Sequence, residues 1–437
     1  MTQSRTNRRQ FLQTTAVISA GYWVAGGVQA QESSSPNERI AMASVGIGGK
    51  GDSDSRDAAK HGDMVAICDA DRNTLGNAAK REGFGKAKKY TDFRKMLEEL
   101  GDSIDAVTVS TPDHTHAPAA LMAMRMGKHC FCQKPLTRSV YEARLMGQVA
   151  REKGLATQMG NQGTASPGLR RAAAWLRAGV LGTVQEVHVW TNRPIWPQGV
   201  LTPKEGPCPD SLDWEAWIGA APMRPFASDY HPFRWRGWWD FGTGALGDMA
   251  CHNINMPFMG LDLRDPISIQ AATSGHNRNS FPKSSTVTYE FAPNEWRDGL
   301  KLVWYDGGAL PPEEICDGME RRAEGSLVIG EKGKLWGDGH LMAGAEKVDV
   351  EFPQSPGHFE EWIRAIRGGE PAMSNFPNYA GPLAETVLAG NLAVWVAVKE
   401  GPGTTLAWDA KNMAVKNMDG LETLIKPEYR NGYTLDA

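Results

Sequence analysis

Four glycines and one aspartate give this chain the means to hold a dinucleotide. Gly46-x-Gly48-x-x-Gly51, with Gly49 inside it, follows an apolar run at once. Asp69 ends the next apolar run, 18 residues past Gly51. The first glycine of such a loop permits a tight turn. The second lets the backbone approach a pyrophosphate, and the third lets a helix pack close to a strand. The free N–H groups at the start of that helix then face the phosphates. A carboxylate at Asp69 suits the hydroxyls of an adenosine ribose and repels a 2′-phosphate, so NAD is expected rather than NADP. The nearby cations Lys50 and Arg72 keep NADP open, and a helix cap before Arg72 is the alternative role for Asp69.

Such a site needs a parallel sheet under it, and the pattern for one is present. Short apolar strands are expected at 40–45, 64–68, 106–110, 129–132 and 155–159. Helical stretches at 72–82, 118–126 and 140–153 alternate with them, which implies a parallel sheet covered on both faces. After residue 160 the rhythm changes. A helix at 169–178 precedes strands at 184–191, 267–272, 286–291, 300–305 and 326–329, with helices returning at 358–367 and 380–398. These strands lack regular helices between them, so an antiparallel sheet fits. The α/β expectation is a Rossmann dinucleotide-binding domain over 39–160, then an α+β domain over 161–437 with an open, largely antiparallel sheet.

Three motifs sit on this scaffold: Ser110-Thr111-Pro112-Asp113-His114-Thr115-His116, Gln133-Lys134-Pro135-Leu136, and Gly244-Ala245-Leu246-Gly247-Asp248-Met249-Ala250-Cys251-His252. In this order and spacing they resemble the glucose–fructose oxidoreductase / inositol dehydrogenase / rhizopine-catabolism family. The resemblance covers essentially the whole chain after its first thirty residues. It implies NAD(P)-dependent oxidation of a ring hydroxyl on a sugar, glycoside or cyclitol, in a cleft between the two domains. In that family the lysine of a Glu-Lys-Pro motif stands beside nicotinamide and substrate. Here that residue is Lys134, with Gln133 where the glutamate would be. Thr111, Pro112, His116 and Gln133 are expected to border the cofactor, with His114 near them, and Asn161 and Gln162 to meet the nicotinamide ribose or the substrate; the alternative for either histidine is to cap the helix near Pro118.

The family also pairs an Asp and a His four residues apart on a helix, matched by Asp248 and His252. Residues at that spacing share a helical face. The chemistry is consistent. Oxidising an alcohol removes a hydride from carbon, which the cofactor accepts, and a proton from oxygen, which the protein must manage. His252 suits that task because imidazole titrates near neutrality. Lys134 can hydrogen-bond the same oxygen and stabilise charge there. Asp248 can hold the imidazole or bind a neighbouring hydroxyl. No metal is required.

Seven of the 15 tryptophans lie between Trp190 and Trp239. Aromatic faces stack on the C–H faces of sugar rings, so Trp196, Trp235, Trp238 and Trp239 are substrate candidates, with Arg193, His231, Arg234 and Arg236 able to bind hydroxyls or a carboxylate. The plainer reading of these tryptophans is a domain interface. Two other functions remain open: a redox-neutral glycosidase that oxidises, eliminates, hydrates and reduces again, and a sugar-binding protein without catalysis.

A net charge of -4, with no dense basic run after the N-terminus, gives no footing for nucleic acid. Arg8-Arg9 precedes a short apolar stretch at 14–28 and the small-residue site Val28-Gln29-Ala30. Residues 1–30 thus look like a twin-arginine signal peptide, with 31–38 a linker. The expectations are use of the twin-arginine export machinery, a periplasmic or otherwise exported location, a mature form without a membrane span, and a homo-oligomer. The six cysteines show no paired zinc spacing and are read as buried free thiols.

Overall fold

The computed structural model describes residues 39–435, apart from 296, 338, 343 and 431. The arginine pair and the linker lie outside the described residues.

Six strands form the first sheet: β1 (Ile40–Val45), β2 (Gly62–Cys68), β3 (Lys88–Tyr90), β4 (Ala106–Val109), β5 (His129–Cys132) and β6 (Thr157–Met159). All pairings are parallel, in the order β3-β2-β1-β4-β5-β6. Every residue of β1 is buried, which is why Ile-Ala-Met-Ala-Ser-Val reads as an almost unbroken apolar run. The strand order reverses between β1 and β4, and the carboxyl ends of those strands open a crevice. Val45 pairs with Val109 there, so Gly46 meets Ser110. A Cβ on Gly46 would stand 2.6 Å from the Ser110 carbonyl oxygen, and one on Gly51 would stand 2.1 Å from that of Gly46. No other residue fits either place.

Helix Lys50–Ala59 follows the loop directly. Asp71 caps helix Arg72–Ala78 by accepting from the Asn73 N–H at 2.9 Å, which leaves Asp69 uncommitted to capping. Helix Phe93–Leu100 buries Phe93, Met96, Leu97 and Leu100, one face at helical spacing. Helix Asp113–Arg125 starts five residues before Pro118, so His114 and His116 are helical. Pro118 lies in its second turn, where it forgoes one backbone hydrogen bond.

The second sheet holds ten strands: β7 (Val184–Thr191), β8 (Ser268–Ser274), β9 (Ser285–Phe291), β10 (Leu300–Tyr305), β11 (Glu324–Gly330), β12 (Gly333–Trp336), β13 (Leu341–Met342), β14 (Glu400–Pro402), β15 (Leu406–Asp409) and β16 (Ala414–Val415). Its order is β13-β12-β11-β7-β10-β9-β8-β15-β16, with β14 on β8. The antiparallel expectation holds except where β10 runs parallel to β7. Helices Gly244–Asn253 and Gly381–Val396 pack together on one face of this sheet. Helix His358–Ile366 returns to the first sheet, where Phe359 stacks on Phe131 at 4.5 Å. One continuous apolar core links both sheets. All six cysteines are unpaired, five of them buried. Among the described residues no helix is long and apolar enough to cross a membrane.

Candidate active site

A cleft of about 960 Å³ runs from the glycine loop to helix Gly244–Asn253. That is ample for a small-molecule site. Gly46, Gly48, Gly49 and Asp69 line one end. Gly51 lies beneath, letting the helix approach. The Asp69 carboxylate accepts from the backbone N–H groups of Ile47 (3.0 Å) and Asp71 (3.0 Å). Burial pushes its carboxyl above the ordinary value, against those two hydrogen bonds. Both cations that kept NADP open have protein partners. Lys50 is ion-paired with Asp54, and an Arg72 N–H donates to the Asp210 carbonyl at 3.2 Å. A loop whose Gly46 and Gly51 leave no room for a Cβ, with an acidic end wall, fits NAD. Asp69→Ala is expected to weaken NAD binding about 10- to 100-fold, the range for hydrogen bonds to a charged group. Titration of cofactor-stripped protein with NAD and NADP checks this; tighter NADP binding by the unsubstituted protein would refute the assignment.

Thr111, Pro112, Gln133, Lys134 and Gln162 line the middle of the cleft. Lys134 is the hub. Its Nζ donates to the Asp248 carboxylate at 2.8 Å and to the Asp248 backbone carbonyl at 2.9 Å. Arg236 Nε reaches the same carboxylate oxygen at 3.1 Å. Burial raises the Asp248 carboxyl, but the two cations outweigh it and hold it below the usual range. Asp248 therefore holds Lys134 rather than the imidazole, a correction to the first of its two expected roles. His252 lines the cleft one helical turn on, without a protein hydrogen bond among the described residues. Burial, then the Lys134 charge, depresses its imidazole to about 3, with Asp248 opposing. Its ring is neutral at any physiological pH and can accept a hydrogen bond throughout that range, but it is a weaker base than the near-neutral imidazole expected of it.

Arg193, Trp196, His231 and Trp235 line the far wall. Four other expectations fail. His116 is buried off the cleft, its ring nitrogens 2.8 Å from the carbonyls of Pro135 and Thr111; it ties two loops together and does not line the cleft. His114 sits between the carbonyls of Phe241 (3.2 Å) and Trp217 (3.0 Å), inside an aromatic cluster. Asn161 is wholly buried behind the wall, where its side-chain oxygen accepts from Ser374. Arg234 turns outward to Asp229 at 3.4 Å. Its neighbour Arg236 takes the inner place, its guanidinium 4.2 Å from the Trp235 ring centre. Phe233, Asn253 and Glu324 also line the cleft. Nothing in their sequence context sets them apart.

Residues 39–161 match the profile described as oxidoreductase family, NAD-binding Rossmann fold. Residues 178–435 match that family's C-terminal alpha/beta domain. Levoglucosan dehydrogenase from Pseudarthrobacter phenanthrenivorans is 27% identical over 191 residues, covering 44% of this chain and 40% of that protein. A protein named Glycosyl hydrolase family 109 protein, from Shewanella pealeana, is 30% identical over 160 residues, 31% of this chain and 35% of that one. The matched segment is thus under half the length of either relative. Among solved structures, GenD2 from gentamicin A biosynthesis, in complex with NAD, superposes with a TM-score of 0.58 at 20% identity, covering 88% of this chain and 100% of that one. At that identity the likeness is one of fold.

Proposed function

Because the chain belongs to the Gfo/Idh/MocA oxidoreductase family, with its NAD-binding Rossmann fold, we propose that it oxidises a ring hydroxyl of a sugar, glycoside or cyclitol. One observation carries the reading: Lys134, held by Asp248, and the neutral ring of His252 face the cleft that begins at the glycine loop. NAD, when bound, accepts the hydride. The chain supplies the rest. The Lys134 ammonium hydrogen-bonds the reacting oxygen and stabilises charge as its proton leaves. The His252 imidazole takes that proton. Arg236 keeps the Asp248 carboxylate charged, so Lys134 stays aimed. Arg193 and His231 offer polar groups to the other hydroxyls of the ring, while Trp196 and Trp235, both buried with Arg236 against their rings, shape the wall behind them.

A second reading uses the same site without net redox change. An oxidised ring is acidic beside its carbonyl, so an aglycone can leave by elimination, water can add, and the ring is then reduced again. The relative named Glycosyl hydrolase family 109 protein supports it. Mixing NAD-loaded protein with glycosides and polyols separates the two. A persistent reduced-nicotinamide absorbance with an oxidised product marks the dehydrogenase. A transient signal with released aglycone marks the glycosidase. No signal with any polyol, with NAD still bound, contradicts both and leaves a binding protein.

We further propose export by the twin-arginine route, on the strength of Arg8-Arg9 and the stretch after them. Arg8→Lys with Arg9→Lys is expected to leave precursor in the cytoplasm. Unimpaired export of that variant would rule the route out.

A further inference from the structure

Position 133 carries an amide where the resembling motif carries a carboxylate, and the reason stands opposite it. Asp54, on helix Lys50–Ala59, has a wholly buried side chain. One carboxylate oxygen accepts from the Gln133 amide at 2.8 Å and from the Ser110 hydroxyl at 2.8 Å. The other is ion-paired with Lys50. Gln133 in turn uses its amide oxygen to accept from the Lys134 backbone N–H at 3.2 Å. On its other side the backbone closes in, since a Cβ on Gly160 would stand 2.3 Å from the Gln133 amide nitrogen. Lys50 also reaches Gln162 at 3.2 Å, when the Gln162 amide is turned to donate to the Gly160 carbonyl.

We propose that Asp54 is the positioning residue of the lysine loop: it pins Gln133, which sets the peptide carrying Lys134, and it ties that loop to the helix after the dinucleotide-binding turn. Where a Glu-Lys-Pro motif carries a negative charge at position 133, this chain has an amide there with the Asp54 carboxylate at hydrogen-bond distance. The two positions are complementary as a pair. A glutamate at 133 would set two carboxylates at hydrogen-bond distance, where like charges repel, and Gln133 would no longer be there to donate. The ends of β4 and β5 meet this one carboxylate, through Ser110 and Gln133. That gives the glycine-loop helix a direct mechanical link to the catalytic lysine.

A charge exchange tests this. Gln133→Glu, Asp54→Asn and the double variant are compared with wild type in the presence of NAD. Three readouts are used: thermal melting, the NAD dissociation constant, and the rate at which an amine-acetylating reagent labels Lys134, followed by peptide mass spectrometry. The labelling readout does not depend on which sugar is the substrate, so it stands apart from the proposed activity. Gln133→Glu is expected to change the Lys134 labelling rate, relative to surface lysines, by roughly tenfold, the size of coupling between residues in one hydrogen-bond network. The double variant Asp54→Asn/Gln133→Glu restores one carboxylate and one amide to the pair, and should bring labelling back to within about threefold of wild type. If Gln133→Glu proves too unstable to purify, Asp54→Asn against the double variant gives the same comparison. Wild-type labelling in Gln133→Glu would overturn the proposal. So would a double variant whose melting recovers while Lys134 labelling and NAD affinity do not, because the contact would then be structural only.

Discussion

Lys134→Ala is expected to cut turnover by about 10²- to 10⁴-fold, the usual contribution of a positioned group at the reacting oxygen, while the protein stays folded and binds NAD. The fold survives because the variant does not orphan a buried charge. Asp248 keeps Arg236 at 3.1 Å, so its carboxylate still has a cation. The glycine loop and Asp69 lie at the far end of the cleft and are untouched. Circular dichroism, NAD titration and steady-state kinetics together check this. A wild-type rate would remove Lys134 from the chemistry. Loss of NAD binding with intact structure would make it a cofactor ligand only.

His252→Ala is expected to lose turnover to a similar degree, about 10²- to 10⁴-fold. The wild-type pH profile carries a sharper signature of the same residue. An ordinary histidine base would impose an acid limb near about pH 6.5. Burial and Lys134 depress His252 to about 3. A base with a lowered pKa keeps its acceptor form as the pH falls, and loses it only on passing the lowered value. The oxidation kcat/KM should therefore stay level from about pH 8 down to about pH 5, without a limb in the usual histidine range. A limb near neutrality that vanishes in His252→Ala would mean the imidazole is far better solvated than the cleft geometry indicates.

The parts of this molecule legible in its sequence are those where local chemistry dictates residue type. Gly46 and Gly51 admit no side chain, so they must be glycine, and the loop shows itself. Asp248 and His252 reach one cleft because four residues make about one helical turn. The Rossmann strands are legible as buried apolar runs, whereas β3 is two lysines and a tyrosine with no such run. Side-chain direction set by tertiary contacts was not legible. Arg234 and Arg236 lie two apart on one 3₁₀ turn, where side chains diverge by about 120° per residue. One is drawn out to Asp229 and the other in to Asp248, and no pattern along the chain separates them. His114 and His116 stand in the motif as expected neighbours of the cofactor. Only the fold brings backbone carbonyls to both nitrogens of each ring. The Asp54–Gln133 contact spans 79 residues of chain, so the sequence displays the missing glutamate but not what stands in for it.

The proposed reaction moves a hydride from a sugar ring carbon to NAD bound at the glycine loop. It is tested most directly by isotope transfer. NAD-loaded protein is mixed with sugars, glycosides and cyclitols deuterated at their ring C–H positions, quenched during the first turnover, and its nicotinamide weighed by mass spectrometry. Deuterium is expected on the nicotinamide with at least one of them, and none when the same compound meets Lys134→Ala over the same time. Product formed from a deuterated substrate, with no deuterium on the nicotinamide at any time in the turnover, would contradict it.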